Sequence, residues 1–359
     1  MNKFWNKTKK ITMKDRFKKI NQSIKKIKKH KIIGINTVNS WDLKYSKLYN
    51  LTEAIENILD QHISTKCFKV FNTSICESDK KNIVFYCTRL SNISPASICF
   101  LKSKKEHSFS LVGQIDIKKM KILSGTILNI VDNKVCYYTG VEDCRIIYNK
   151  TDNKLYLIGS VRQPINKKKC ASKMVLIELS YKKNLYKVKS IKNLWNKNVS
   201  KKQTQKNWPG FFYDGNLYFE YFITPHIILG NSKITKKSIH LEEIYNTEPV
   251  NLPDFSDNNT EVRGGSCPIL IDKNTYLACA HTNFYYPVFY TFESKPPFRL
   301  TGMSRQLQYL TLPFEIFHFP MGIVQSGKNK IMVSYGGNDC HVILVEHLLS
   351  DILNSLYEV

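Results

Sequence analysis

The chain has 359 residues, 42% of them hydrophobic, and a formal net charge of +25. That is enough apolar material for one large domain or two ordinary ones, and no apolar run is long enough to span a bilayer. The charge would ordinarily indicate a polyanionic partner, but lysine dominates over arginine, and nearly half of the excess lies between Lys3 and Lys31. Base readout and bidentate phosphate clamps favour arginine, so nucleic-acid binding is not expected as the main function.

Tyr and Phe are abundant, Ala is scarce and β-branched residues are common, a composition that leans toward strand. None of the ten cysteines belongs to a Cys-x-x-Cys pair, so neither a zinc ribbon nor a thioredoxin-type site is indicated and no metal set is expected. Several, such as Cys99 between Ile98 and Phe100, sit in apolar strand patterns and read as small buried hydrophobes of a reducing compartment. No secretory segment follows the basic start, and the expected location is the cytoplasm.

Met13, Phe17, Ile20, Ile24 and Ile27 recur at helical spacing among lysines, which predicts a basic amphipathic helix. Packing of its apolar stripe on the main domain is the favoured reading, and weak contact with an anionic membrane is the alternative. A second helical pattern runs from Leu48 to Ile63. Residues 1–65 are thus read as a basic, partly helical extension and residues 66–359 as a strand-rich domain. From about Phe68 onward, four stretches share one pattern of strand, polar turn and strand. They are Arg145–Tyr148 into Leu155–Ile158, Gly210–Tyr213 into Leu217–Phe219, Cys267–Ile271 into Tyr276–Ala278, and Met321–Val324 into Ile331–Val333. Their Asp-Gly, Asp-Asn and Gly-Lys-Asn turns are hairpin signals. The turns recur about every sixty residues, the length of a four-stranded unit with loops. With a weaker unit around Ala96–Phe100, the chain divides into about five such units, which predicts an all-β, five-bladed β-propeller. A pair of β-sandwiches would not explain the regular spacing.

Polar residues follow the second strand of each hairpin: Gly159-Ser160-Val161-Arg162, Thr224-Pro225-His226, His281-Thr282-Asn283 and Tyr335-Gly336-Gly337-Asn338-Asp339. Equivalent points of successive blades face one end of a central channel, so these residues are expected to converge. The most informative stretch is Tyr138–Ile147, where Glu142, Asp143 and Arg145 crowd beside Gly140 at the mouth of a strand. Charges there are costly without a partner or a task.

Gly140-Val141-Glu142-Asp143-Cys144-Arg145 resembles the Gly-x-Glu-Asp-Pro-Arg signature of the β-mannoside phosphorylases and their mannosyltransferase relatives, glycoside hydrolase family 130. These are five-bladed propellers, and the resemblance runs from roughly Ser94 to the end. It implies that Asp143 is the catalytic acid and that Arg162, Lys206 and His226 bind phosphate. It also implies that Glu142, Arg145, Trp208, Arg263 and Asp339 shape the sugar site. Two features depart from the pattern. Cys144 replaces the proline, and between Arg162 and Lys206 there is no second arginine, only Lys167, Lys168, Lys169 and Lys173, which bind phosphate as point charges.

An inverting glycosidase needs two carboxylates, whereas a phosphorylase needs one acid and a cationic cradle for the phosphate nucleophile. One acid candidate beside several cations fits the second arrangement. The expected activity is inverting phosphorolysis of a β-mannoside, or the reverse mannosyl transfer from a sugar 1-phosphate, with phosphate as co-substrate and no cofactor. The alternative is a catalytically inactive carbohydrate-binding or scaffold propeller. Structural roles also remain open: an ion pair between Glu142 and Arg145, a turn cap by Asp339, a backbone bond for His226 and a core position for Trp208.

Overall fold

In the computed structural model of the protein, the described residues are 43, 46–59, 68–93, 107–128, 130, 140–166, 170–182, 185–200, 202–247, 261–283, 285–307 and 318–359. The expected basic helix from Met13 to Ile27, the segment Ala96–Phe100 and Lys167, Lys168 and Lys169 lie outside them.

The described chain opens with β1 (Ser46–Asn50) and α1 (Thr52–Leu59). The helical pattern expected from Leu48 is therefore split. Ser46–Asn50 is strand because its backbone pairs with His341–Leu348 near the far end of the chain, Ser46 opposite His347 and Asn50 opposite Ile343. Helix begins only where Asn50 Oδ1 accepts the Thr52 amide at 3.0 Å, which satisfies one of the orphan donors of a first turn.

The strands β2 (Lys69–Glu77), β3 (Ile83–Ser91), β4 (Ser108–Asp116) and β5 (Lys121–Leu128) form an antiparallel meander. A second meander comprises β6 (Val141–Asn149), β7 (Lys154–Pro164), β8 (Cys170–Lys182) and β9 (Leu185–Asn196). A third comprises β10 (Gly210–Tyr213), β11 (Asn216–Phe222), β12 (Ile227–Ile234) and β13 (Ser238–Asn246). Parallel pairing of β13 with β9 joins these two into one eight-stranded sheet. The next sheet contains β14 (Val262–Arg263), β15 (Ile269–Leu270), β16 (Thr275–Thr282), β17 (Pro287–Glu293) and β18 (Leu300–Ser304). The last contains β19 (His318–Gly327), β20 (Lys330–Gly337) and β21 (His341–Leu348), with β1 as its fourth strand. After α2 (Leu349–Asn354), β22 (Leu356–Glu358) turns back to pair with β18. All four hairpins expected from the turn residues form, as β6–β7, β10–β11, β15–β16 and β19–β20.

Strands such as β3 and β20 are buried almost end to end, because sheets pack on both of their faces; such strands read as apolar runs rather than strict alternation. The clusters lie between consecutive sheets. Phe85 and Val112 meet Leu157 and Val175, and Ile158 and Met174 meet Trp208 and Phe219. Phe211 and Ile228 meet Tyr276 and Tyr290, and Cys279 and Phe289 meet Val333 and Ile343. Finally Val324 and Leu344 meet Val70 and Ile75, so the last sheet packs on the first and the ring closes. Each such side chain contributes about 1.5–3 kcal/mol by leaving water.

The strands β2, β6 and β19 lie against one another, and each carries a register shift: between Phe71 and Ser74, between Glu142 and Arg145, and between Pro320 and Gly322. A bulge inserts an unpaired residue and re-aims its side chain. Asn72 and Asp143 are the re-aimed residues, with φ of 50° and 49°.

Candidate active site

The approach to Asp143 is shaped by glycines. Gly140 has φ +88° and leads into β6, where a Cβ would meet the Ser108 carbonyl. Glu142 pairs with Ser160 and Arg145 with Ile158, so Asp143 and Cys144 together face Gly159. Left-handed backbone costs an L-residue roughly 1–2 kcal/mol, and a specific contact offsets it here. The Arg145 guanidinium donates through Nη1 to the Asp143 carbonyl at 2.9 Å.

Two donors converge on Asp143 Oδ1: Arg89 Nη1 at 3.0 Å and Asn72 Nδ2 at 2.9 Å. The same Asn72 amide donates to Asp339 Oδ1 at 3.4 Å, so one nitrogen bridges the two carboxyl groups. Asn72 fits because residue 336 is glycine; a Cβ there would collide with Asn72 Oδ1. Glu142, whose side chain is 2% exposed, gathers the cations. Arg162 Nε lies 3.0 Å from Oε1, while Lys206 Nζ lies 3.3 Å and Arg89 Nη2 3.8 Å from Oε2. The side chains of Arg162 and Lys206 remain 43% and 36% exposed, so the cluster presents positive charge to solvent above a buried carboxylate.

These surroundings separate the two aspartates. Burial pushes the Asp143 carboxyl up, but Arg89, the Asn72 bond, Arg145 and Lys206 together hold it below the usual aspartate range. Asp339 is exposed, and its carboxyl lies beside the same charged groups. Desolvation first, then the Asp143 and Glu142 charges, push it up against the opposing effects of Arg89 and Asn72.

The structure thus brings together Glu142, Asp143, Arg162, Lys206 and Asp339. Arg145 is beside them but fully engaged. Its Nε donates to Gly265 O at 2.9 Å, its Nη1 also reaches Asn207 Oδ1 at 3.1 Å, and the guanidinium sits 5.3 Å over the Phe319 ring. The expected Glu142–Arg145 pair is replaced by these bonds and by the three cations on Glu142, and the Arg145 guanidinium holds the Asp143 and Gly265 carbonyls. Arg263 leads into Gly264 and Gly265, but its own guanidinium turns to Glu261 at 2.8 Å.

Two residues are placed elsewhere. His226 is 1% exposed, with Nδ1 on Phe298 O at 2.7 Å and Nε2 on Glu220 Oε1 at 3.0 Å. Both nitrogens are occupied inside an apolar cluster, so the ring is not presented to an anion. Trp208 is 2% exposed and packs on Phe219 and Tyr221, which makes it core rather than a channel-rim platform. Lys173, one of the lysines between Arg162 and Lys206, is buried and braces the loop that carries Lys206, donating to Gln203 O at 2.6 Å.

Sequence reasoning missed Asn72 and Arg89. Arg89 was detectable as a charge inside the apolar run Ile83–Leu90, the same signal that singled out Glu142 and Asp143. Asn72 carries no comparable mark, because it stands beside Thr73 and Ser74, where one more polar residue is ordinary.

No protein-family model matches the chain, and no curated protein matches it. Solved structures do resemble it. A β-1,2-mannobiose phosphorylase from Listeria innocua, in complex with β-1,2-mannobiose, superposes with a TM-score of 0.52 at 15% identity, covering 83% of this chain and 95% of that one. A glycoside hydrolase family 43 β-xylosidase/α-arabinofuranosidase from a compost microbial metagenome, in complex with xylotriose, gives 0.50 at 13% identity over 87% and 94%. An α-L-arabinofuranosidase from Lactobacillus brevis gives 0.50 at 9% identity over 80% and 93%. The fold is that of the β-propeller glycosidases. In such a propeller the sheets stand round a central channel. The bulged strands β2 and β6, lying against each other and against β19, carry Asn72 and Asp143 beside Asp339.

Proposed function

We propose that the chain is a five-bladed propeller enzyme that transfers a glycosyl group, preferably β-mannosyl, between a sugar acceptor and phosphate with inversion. The blades are β2–β5, β6–β9, β10–β13, β14–β18 and β19–β21 with β1. The observation that carries the reading is the single cluster of Asp143, Asp339 and Glu142 with Arg89, Arg162 and Lys206, drawn from strands far apart in sequence. A polar, multiply charged ligand such as a sugar phosphate requires that kind of convergence.

Within this reading, Arg162 and Lys206 cradle phosphate, and their partly exposed heads beside Glu142 support the assignment. Arg89 is a third cation at the same carboxylate. An aspartate of the Asp143–Asp339 pair donates the proton to the leaving oxygen while phosphate attacks the anomeric carbon from the opposite face. Glu142 holds the cations in place and is not itself the proton donor, since it is buried among them.

Incubation with β-mannosides and inorganic phosphate should release a sugar 1-phosphate, and Asp143→Asn should abolish that release while leaving the thermal transition of the protein in place. A broad screen of β-mannosides and sugar 1-phosphates without turnover would overturn the reading. Sugar binding that survives Asp143→Asn would then favour a propeller that binds carbohydrate without reaction.

A further inference from the structure

We infer that Tyr285, at the tip of the β16–β17 hairpin, is a stacking platform for a sugar unit beyond the pair that flanks the scissile bond, so that the substrate is an oligosaccharide rather than a disaccharide. This rests on the glycosyl-transfer reading of the site and adds a binding position outside the charged cluster.

Strand register puts Tyr285 at the same end of the ring as that cluster. Val141 pairs with Val161, Val262 with Thr282 and His318 with Gly337. Arg162, Asn283 and Asn338 therefore follow equivalent points of the second strand in their sheets, and Tyr285 and Asp339 stand just past the last two of them. Side-chain contacts tie the hairpin to the site. The Phe319 ring lies under the Arg145 guanidinium at 5.3 Å and packs edge-on with Tyr285 at 6.2 Å. Arg145 in turn holds the Asp143 carbonyl at 2.9 Å. Tyr285 is thus set off from Asp143 by the breadth of a guanidinium and a phenyl ring. A unit that meets it lies beyond the two sugars joined by the bond that breaks.

The tyrosine is held in place from below. Its ring stacks on the His281 imidazole, with centroids 5.3 Å apart and planes 4° from parallel. His281 is itself fixed, buried against Phe319 at 4.8 Å and donating from Nδ1 to the Thr282 carbonyl at 2.8 Å. Burial lowers it to about 4, so near pH 7 the imidazole is a flat, uncharged backing. Thr282 N donates to Tyr286 O and Tyr285 N to Thr282 O, each at 2.9 Å, which closes the turn.

The turn also presents aromatic surface outward. Tyr285 is 42% exposed and its neighbour Tyr286 38%, in a molecule whose Trp208 is buried. Tyr285 takes a left-handed backbone with φ 64°, where Gly or Asn would sit more easily than a bulky ring. Backbone of this kind persists where the surroundings fix it, and it collects at ligand clamps. An aromatic ring with a polar tip, held rigid and half open to water, suits the apolar C–H face and hydroxyl rim of a pyranose.

Comparison of β-linked mannobiose and mannotriose, each with inorganic phosphate, tests the inference. Tyr285→Asn removes the ring with a residue that suits the left-handed turn, and its thermal transition should stay in place. The ratio of kcat/KM for the trisaccharide over the disaccharide should fall about tenfold, the contribution of one aromatic stack. Tyr285→Phe, which keeps the ring, should keep the ratio. An unchanged ratio in Tyr285→Asn, from equal losses or from none, overturns the inference and leaves glycosyl transfer standing. If neither sugar is turned over, the glycosyl-transfer reading fails, and saturation-transfer NMR with mannotriose decides the platform. Transfer to one terminal unit that is lost in Tyr285→Asn supports it, whereas no transfer, or transfer equal in the variant, overturns it.

Discussion

At the scale of single residues, the site is organised by Arg89 more than by any residue the motifs mark. Its guanidinium is 6% exposed and contacts both Asp143 and Glu142. Removing one partner of a buried pair leaves an uncompensated charge and typically costs about 3–5 kcal/mol. Arg89→Met should therefore lower the free energy of unfolding, read from urea melts, by an amount at the lower end of that range, because Asp143 is 16% exposed, and should abolish turnover. It should also raise the Asp143 carboxyl, which titration of protein labelled with carboxyl-13C aspartate reads; an unmoved Asp143 would show that Arg89 does not hold it. The contrast with what the sequence revealed is instructive. Glu142 and Asp143 stand out because adjacent carboxylates at a strand mouth have few bland explanations. Arg89 is hidden only by its distance along the chain. His226 and Trp208 mislead for the opposite reason, since their types suit a sugar or phosphate site while their surroundings, Glu220 with Phe298 and Phe219 with Tyr221, absorb them into the core.

At the scale of elements, turn chemistry made the hairpins legible, and bulges remained illegible. Asp214-Gly215 or Gly327-Lys328-Asn329 specifies a chain reversal locally, and each reversal forms where its residues stand. A bulge is set by packing against the neighbouring strand, so nothing in Phe71-Asn72-Thr73 announces that Asn72 will turn with φ 50° toward Asp143. The structure does explain one half of the Tyr335-Gly336-Gly337-Asn338-Asp339 segment that sequence alone left as a family likeness. Gly336 is the space in which the Asn72 amide lies. Gly336→Ala should force Asn72 away at a cost of about 1–3 kcal/mol, typical of an overpacked interior. The expected signature is a lost bridge between Asp143 and Asp339, read as a fall in turnover with the fold retained. Asn72→Ala in the same background should add little further loss, because the amide is already displaced; a large additional loss would show that Gly336 acts some other way.

At the scale of the whole molecule, the ring is closed by strands from both ends of the described chain, β1 on β21 and β22 on β18. The first closure includes a side-chain clasp, with Ser46 Oγ 2.8 Å from His347 Nδ1 and the imidazole fully buried. Burial lowers His347 to about 3 and, at the centre of the ring, lowers His281 to about 4, with the Arg145 and Arg263 charges adding to the effect. Folded-state values below the unfolded value of about 6.5 mean that the unfolded chain binds more protons. Each histidine therefore contributes stability that is fully present above that pH and is lost as acid is added, down to its folded-state value. The slope approaches 1.4 kcal/mol per pH unit per group. Below about pH 4, Asp143 adds a loss of the same sign, since its folded value is also depressed, whereas Asp339, raised in the folded state, exerts its opposing effect earlier, as the pH falls toward about 4. Urea unfolding between pH 7 and pH 4 should accordingly show stability falling by more than one proton's slope. His347→Asn, which keeps an acceptor for Ser46 but does not titrate, should be less stable at pH 7 and should flatten the acid slope by about one proton. A slope unchanged by that substitution would mean that His347 takes up its proton in the folded state and that burial does not hold it neutral.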